Sequence, residues 1–380
     1  MNLSFLQRLQ EELNHRKQNQ NFRILPSTTA GIDFYSNDYL GMAQNDEIAR
    51  LVMQNYSSTP DKKKLGSTGS RLISGNSEYF INLETFLANF FHADAALIFN
   101  SGYTAISSVI ATLPSRHDTI LYDELAHACM KEGARLSLAK HYSFRHNDMN
   151  DLEKKLQKAQ GTPFIVVESV YSMDGDFCPL PSIVTLAQQY NACIILDEAH
   201  STGIYGTNGN GWACQLKLES FIDVRIYTFG KAIGAHGAVV VGSQTLKDYL
   251  INFARGFIYT TAMPLHNLIT LRTIFEYLLA HSEPRKQLQK IISIWQNSIQ
   301  SKELLQVSSN ASPIQIVKIQ GNTPCIQTAE KLRAKGFLVK AVLSPTVKSG
   351  QERIRICLHA FNTEQQVEQL IDSLQQMLSP

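Results

Sequence analysis

Leu3, Leu6, Leu9 and Leu13 recur at steps of three and four residues with charged positions between them, which predicts an amphipathic helix at the start of the chain. An extended stretch follows, Ile32, Phe34 and Tyr35, and then the turn-rich run Ser36-Asn37-Asp38-Tyr39-Leu40-Gly41. Residues 1–45 therefore read as a helix and arm that pack on something larger. From 46 to 265 short apolar runs alternate with helical patterns. The strands expected are Ala95–Phe99, Thr119–Tyr122, Phe164–Glu168, Cys193–Asp197, Arg225–Phe229 and Ala238–Val241. Several are apolar at every position, as strands buried on both faces are. Helical spacing between them, over Tyr103–Leu113 and Ser182–Gln189, completes a β/α alternation that predicts a mostly parallel sheet flanked by helices.

Residues 266–380 predict a smaller α+β domain. A helical stretch over 265–306 leads to a strand at Ile314–Ile319, a helix over 323–335, and strands at Phe337–Val342 and Arg353–Leu358. The last helix carries Val367, Leu370, Ile371, Leu374, Met377 and Leu378 on one side. Thr363 and Gln366 have the spacing of a capping box at its start.

Composition narrows the class. The chain has 380 residues, 44% hydrophobic, with a formal net charge of +2. That is a globular composition, and the balance excludes a strongly basic protein that lives on nucleic acid. The six cysteines, at 129, 178, 193, 214, 325 and 357, form no CxxC pair, so zinc-ribbon and thioredoxin readings fail and no metal motif is read. Reduced thiols, a polar N-terminus and the lack of any long apolar run predict a cytoplasmic protein with no membrane partner.

Ligands of open parallel sheets bind beyond the carboxyl ends of the strands, and four candidate features fall there. Asn100-Ser101-Gly102-Tyr103-Thr104 follows one strand and opens a helix, whose free N–H groups favour an anion such as phosphate. Tyr171-Ser172-Met173-Asp174-Gly175-Asp176 is a turn after another. Asp197-Glu198-Ala199-His200 places an acid at the end of a third. Tyr227-Thr228-Phe229-Gly230-Lys231 sets a lysine in a glycine-flanked turn, where desolvation makes an amine nucleophilic. An anion cup, an acid and a lysine together are what pyridoxal phosphate needs: a phosphate site, a partner for the ring nitrogen and an amine for the aldehyde. The glycine-rich runs 66–71 and 206–211 give no Walker pattern and follow no strong apolar strand, so they carry no nucleotide site.

With these segments in order along nearly the whole chain, the sequence resembles the α-oxoamine synthases, pyridoxal-phosphate transferases of fold type I. Further matching stretches are Gly66–Arg71, Asp123-Glu124-Leu125-Ala126-His127-Ala128, His146-Asn147-Asp148, Tyr259-Thr260-Thr261-Ala262-Met263-Pro264 and Arg353-Ile354-Arg355. The resemblance implies that Lys231 binds the cofactor aldehyde and later carries the α-proton, and that Asp197 pairs with the pyridine nitrogen. It implies that His127 stacks on the ring, and that Ser172 and His200 lie near the ring hydroxyl. Ser101, Gly102, Tyr103 and Thr228 would hold phosphate and ring, and Thr260 would reach the phosphate of the neighbouring subunit of a homodimer with shared sites. Arg355 would pair with the amino-acid carboxylate, Asn37 would contact substrate, and Arg23 would sit near the acyl thioester.

The reaction implied is the decarboxylative condensation of an amino acid with an acyl thioester. The segments 169–176 and 252–261 resemble one branch of this family, and that likeness implies L-alanine and a pimeloyl thioester on coenzyme A or acyl carrier protein as substrates. A sister synthase using glycine or serine is the alternative of the same class, and a catalytically dead binding scaffold that of another. Phe80, where many relatives have histidine, Thr68, where glycine is frequent, and His236, where a small residue is common, depart from the pattern.

Overall fold

The computed structural model describes residues 3–25, 30–60, 65–304 and 306–378. In chain order its strands are β1 (Ile32–Asp33), β2 (Ala95–Phe99), β3 (Thr119–Asp123), β4 (Lys140–Phe144), β5 (Pro163–Glu168), β6 (Cys193–Asp197), β7 (Val224–Thr228), β8 (Ala238–Gly242), β9 (Ile314–Lys318), β10 (Phe337–Leu338), β11 (Lys340–Val342) and β12 (Arg353–Cys357). The chain divides into two units: 37–172 with 176–286, and 1–36 with 173–175 and 287–380.

The larger unit is built on a seven-stranded sheet in the order β2-β8-β7-β6-β5-β3-β4. Every pairing is parallel except those of β8, which runs against both neighbours. Side chains alternate across a strand, so a sheet covered on both sides needs two apolar sets. Ile120, Val166 and Ile195 enter one core beneath the helices Gly102–Thr112 and Ala128–Leu136. Their neighbours Leu121, Val167 and Leu196 enter the other, against Leu180–Tyr190. This double burial is why the strands are legible as unbroken apolar runs.

β4 is the strand the sequence hides. It is an edge strand, and four of its five residues, Lys140 to Ser143, are exposed. Polar edge residues discourage pairing with another chain, and they leave no apolar signal. At the carboxyl edge beside it, His146 is held between two acids, with Nδ1 2.9 Å from Asp123 and Nε2 2.7 Å from Asp176. Burial alone pulls this imidazole down, but the hydrogen bonds and charges of Asp123 and Asp176 outweigh it and push it up to about 10. A raised folded-state value means that the stabilisation is complete below the unfolded value of 6.5 and is lost as pH rises through about 10. His146→Gln is expected to lower the thermal midpoint at pH 7 by about 5 °C and to flatten its further fall between pH 8 and 10. Midpoints measured across that range for both proteins test this.

The smaller unit has a three-stranded antiparallel sheet, β11-β12-β9, and the parallel pair β1-β10. Two sequence expectations are corrected here. The run Phe337–Val342 is two short strands, since β10 pairs with β1 while β11 joins β12. The helical stretch 265–306 is two helices, Leu265–Ala280 and Glu283–Ser301. Pro284 has no N–H to continue the first, but it fits the opening turn of the second. The capping box forms: Thr363 Oγ1 accepts from the Gln366 N–H at 3.2 Å, and Gln366 Oε1 from the Thr363 N–H at 2.9 Å. No described helix is long and apolar enough to cross a membrane.

Candidate active site

Five strands of the large sheet deliver polar residues to its carboxyl edge, around a cavity of about 270 Å³. β2 leads to Ser101, Gly102 and Tyr103, β3 to His127, β5 ends in Glu168, β6 in Asp197, and β7 in Thr228 before Lys231. All of these line the cavity together with Asn37 and His236. His200 stands directly behind Lys231, its Nε2 2.8 Å from Nζ.

The phosphate-type end is built from the helix Gly102–Thr112. Ser101 caps it, accepting the Thr104 N–H at 3.2 Å. A Cβ added at Gly102 would stand 2.5 Å from Cγ2 of Thr228, so only glycine permits this approach. Thr228 Oγ1 is buried with no hydrogen-bond partner among the described residues. An orphaned hydroxyl beside the unpaired N–H groups of a helix start is a cradle for an anion.

The acidic end holds two carboxyls. Glu168 and Asp197 are register partners on adjacent parallel strands, and both are buried. Burial and the neighbouring Asp197 push Glu168 up to about 8, against the pull of Lys231. Burial also raises Asp197, and Lys231 opposes it. Two charges cannot share this dry spot cheaply, so at neutral pH the pair retains a proton. Glu168 meanwhile accepts the His127 N–H at 2.7 Å and the Ser172 N–H at 3.3 Å, which ties the loops after β3 and β5 to the cavity floor.

His127 is the cap of the helix Ala128–Leu136, its Nδ1 accepting the Cys129 N–H at 3.3 Å. Burial, helped by the charges of Lys231 and Lys131, lowers its pKa and keeps the ring neutral. A neutral, pinned imidazole is a suitable wall for a flat aromatic ligand. The other side has a relay. Tyr39 donates to Asn37 Oδ1 at 3.0 Å and lies 2.8 Å from His200 Nδ1. With its proton given to Asn37, the Tyr39 oxygen accepts from His200 Nδ1–H, and His200 Nε2 then accepts from Lys231. Removing that hydroxyl releases the tautomer. Tyr39→Phe is expected to reduce kcat by about five- to tenfold with little change in KM, as steady-state kinetics would show.

The cavity thus gathers Asn37, Ser101, Gly102, Tyr103, His127, Asp197, Thr228 and Lys231 from the expected set, with His200 and Ser172 adjoining. Thr260 does not line it; its Oγ1 accepts from Asn100 Nδ2 at 3.3 Å. Arg23 and Arg355 belong to the smaller unit, where Arg355 is buried on β12 with Nη1 2.9 Å from Cys357 Sγ. Sequence reasoning did not single out Tyr39 or Glu168. Glu168 carried the same signal as Asp197, an acid closing an apolar strand; Tyr39 lay in a turn-rich segment where an aromatic residue reads as packing.

These residues fit pyridoxal phosphate: an anion cradle, a buried acid, a flat wall and an amine converge on one cavity. The chain belongs to the aminotransferase class I and II family, whose model matches residues 29–374, and within it to the α-oxoamine synthases. It is 36% identical to the 8-amino-7-oxononanoate synthase of Emericella nidulans, over 97% of this chain and 93% of that one. The crystal structure of 8-amino-7-oxononanoate synthase from Francisella tularensis superposes with a TM-score of 0.79 at 28% identity, covering 92% of this chain and 98% of the other. A serine palmitoyltransferase of S. paucimobilis, solved with a PLP–myriocin adduct, gives a TM-score of 0.88 over 99% of this chain and 98% of its own. At 24% identity that likeness speaks for the fold alone, which is fold type I.

Proposed function

We propose that this chain condenses L-alanine with a pimeloyl thioester, on coenzyme A or acyl carrier protein, to give 8-amino-7-oxononanoate, CO₂ and the free thiol, as in biotin synthesis. Pyridoxal 5'-phosphate would occupy the cavity around Lys231. When bound, that group supplies a conjugated ring that takes up the electron pair released at an amino acid's α-carbon. The observation that carries the reading is the convergence of Lys231 with Asp197 and the Thr228–Gly102 cradle in one cavity.

The chain's own residues divide the work. Thr228, Ser101 and the N–H groups at Gly102 and Tyr103 would bind the phosphate, and Asp197 would pair with a positive ring nitrogen in a site with little competing water. His127 would cover one face of the ring, and His200 and Ser172 would stand by its hydroxyl. Lys231 would hold the aldehyde of that group, and its Nζ would take the α-proton and later return it; His200 Nε2, accepting from Nζ, keeps the amine oriented. Arg355 binds the amino-acid carboxylate, a task suited to a guanidinium fork, Asn37 contacts the substrate, and Arg23 serves the thioester. Thr260 serves the phosphate of the second subunit in a homodimer.

An absorbance titration of the coloured protein tests the reading. L-Alanine is expected to change the spectrum at lower concentration than glycine or L-serine. Preference for glycine or serine would make the chain a sister synthase; a colourless protein that takes up no added pyridoxal phosphate would sink the proposal.

A further inference from the structure

The opposite edge of the large sheet, where β2, β5, β6 and β7 begin, carries chemistry the proposed reaction does not use. A cavity of about 720 Å³ lies there, lined in part by His92, Asp94, Glu219, Asp223 and Arg225. Beside it, His92, Cys214 and Glu219 bring one nitrogen, one sulfur and one carboxylate oxygen within 4.8 Å of one another. His92 Nδ1 is 3.6 Å from Glu219 Oε1, and Glu219 Oε2 is buried with no hydrogen-bond partner among the described residues.

On the far side of the imidazole, Nε2 lies 3.4 Å from Nδ2 of Asn210. Asn210 is only 2% exposed, and its Oδ1 has no partner among the described residues. Turning this amide over offers its oxygen to His92 Nε2–H. That fixes the proton on Nε2 and leaves the Nδ1 lone pair facing the cluster, the arrangement a metal-binding histidine requires. Arg225 Nη1 is 3.6 Å from Cys214 Sγ, and Arg225 is itself fixed by the carbonyls of Phe91 and His92 and by Tyr227 Oη. Burial pushes the Cys214 thiol up to about 12 despite that charge, so a metal ion binds here by displacing the thiol proton. His92 also adopts a left-handed backbone, with φ of 50°, uncommon outside glycine.

We propose that His92, Cys214 and Glu219 form a site for a borderline-soft divalent cation such as Zn²⁺, with water in the fourth position. A thiolate and a carboxylate neutralise the ion, and the mixed N, S and O set suits zinc. Tetrahedral bonds place ligand atoms about 3.3–3.8 Å apart, so the cluster closes on an ion by side-chain rotation of about 1 Å. The His92 side chain is 55% exposed, which gives the ion access. The ligands come from two distant parts of the chain, so no spacing motif betrays them. Bound zinc would tie the turn before β2 to the segment before β7, without contact with the Lys231 cavity.

Equilibrium dialysis of the untagged, full-length protein against Zn²⁺, read by metal analysis, tests this. About one ion per chain is expected, lost in Cys214→Ser and bound about tenfold more weakly or worse in His92→Gln. Zinc should also raise the thermal midpoint of the wild type and not that of Cys214→Ser. A wild type that binds no zinc overturns the proposal. So does binding that is unchanged in both variants, since the ion would then lie elsewhere.

Discussion

Replacing Lys231 with alanine is expected to lower turnover by at least about a thousandfold while leaving the protein folded. Lys231 sits in a turn after β7, is only partly buried and contributes no apolar packing to either core. Its Nζ bond to His200 can pass to water. The thermal midpoint should therefore move little, while the group proposed both to anchor the cofactor and to move the α-proton disappears. Pyridoxal phosphate should still bind, through the cradle at Gly102 and Thr228, but reversibly and without its covalent link. Steady-state kinetics with a dialysis test of cofactor retention separate these effects. A Lys231→Ala protein with more than about a tenth of wild-type turnover would remove the lysine from the mechanism.

The second large effect is expected at Asp197. Asp197→Asn keeps the oxygen that accepts the Ala199 N–H at 2.8 Å, so the local turn survives. The negative charge is lost, and it lies where burial has already removed water. Charge placed in a dry site is worth far more than in solvent, and the loss should lower kcat by about 10²–10³-fold. KM for the amino acid should change little, because a neutral amide still shapes the cavity. Glu168 does not substitute: both of its oxygens are committed to the His127 and Ser172 N–H groups. A kcat within threefold of wild type would mean that another group balances the ring nitrogen.

Much of this is legible in the sequence. The buried parallel strands advertise themselves because Ile120 and Leu121, Val166 and Val167, or Ile195 and Leu196 must each satisfy opposite apolar layers. The lysine, the acid and the helix start stand at strand ends, where a parallel sheet presents ligand groups. Edge strand β4 was hidden because Lys140, His141, Tyr142 and Ser143 face solvent. The Tyr39–His200–Lys231 relay was hidden because its members are distant in sequence and meet only through the fold. The Glu168–Asp197 pairing needs strand register, which local pattern does not give. His92, Cys214 and Glu219 escaped for the same reason as the relay.

The most direct test of the account follows CO₂. Incubated with pyridoxal phosphate, L-alanine and a pimeloyl thioester, the protein is expected to release one CO₂ and one thiol for each 8-amino-7-oxononanoate formed, with mass spectrometry reading the product. Formation of pyruvate without CO₂, the signature of amino-group transfer, would contradict it, as would thiol release with no new carbon–carbon bond.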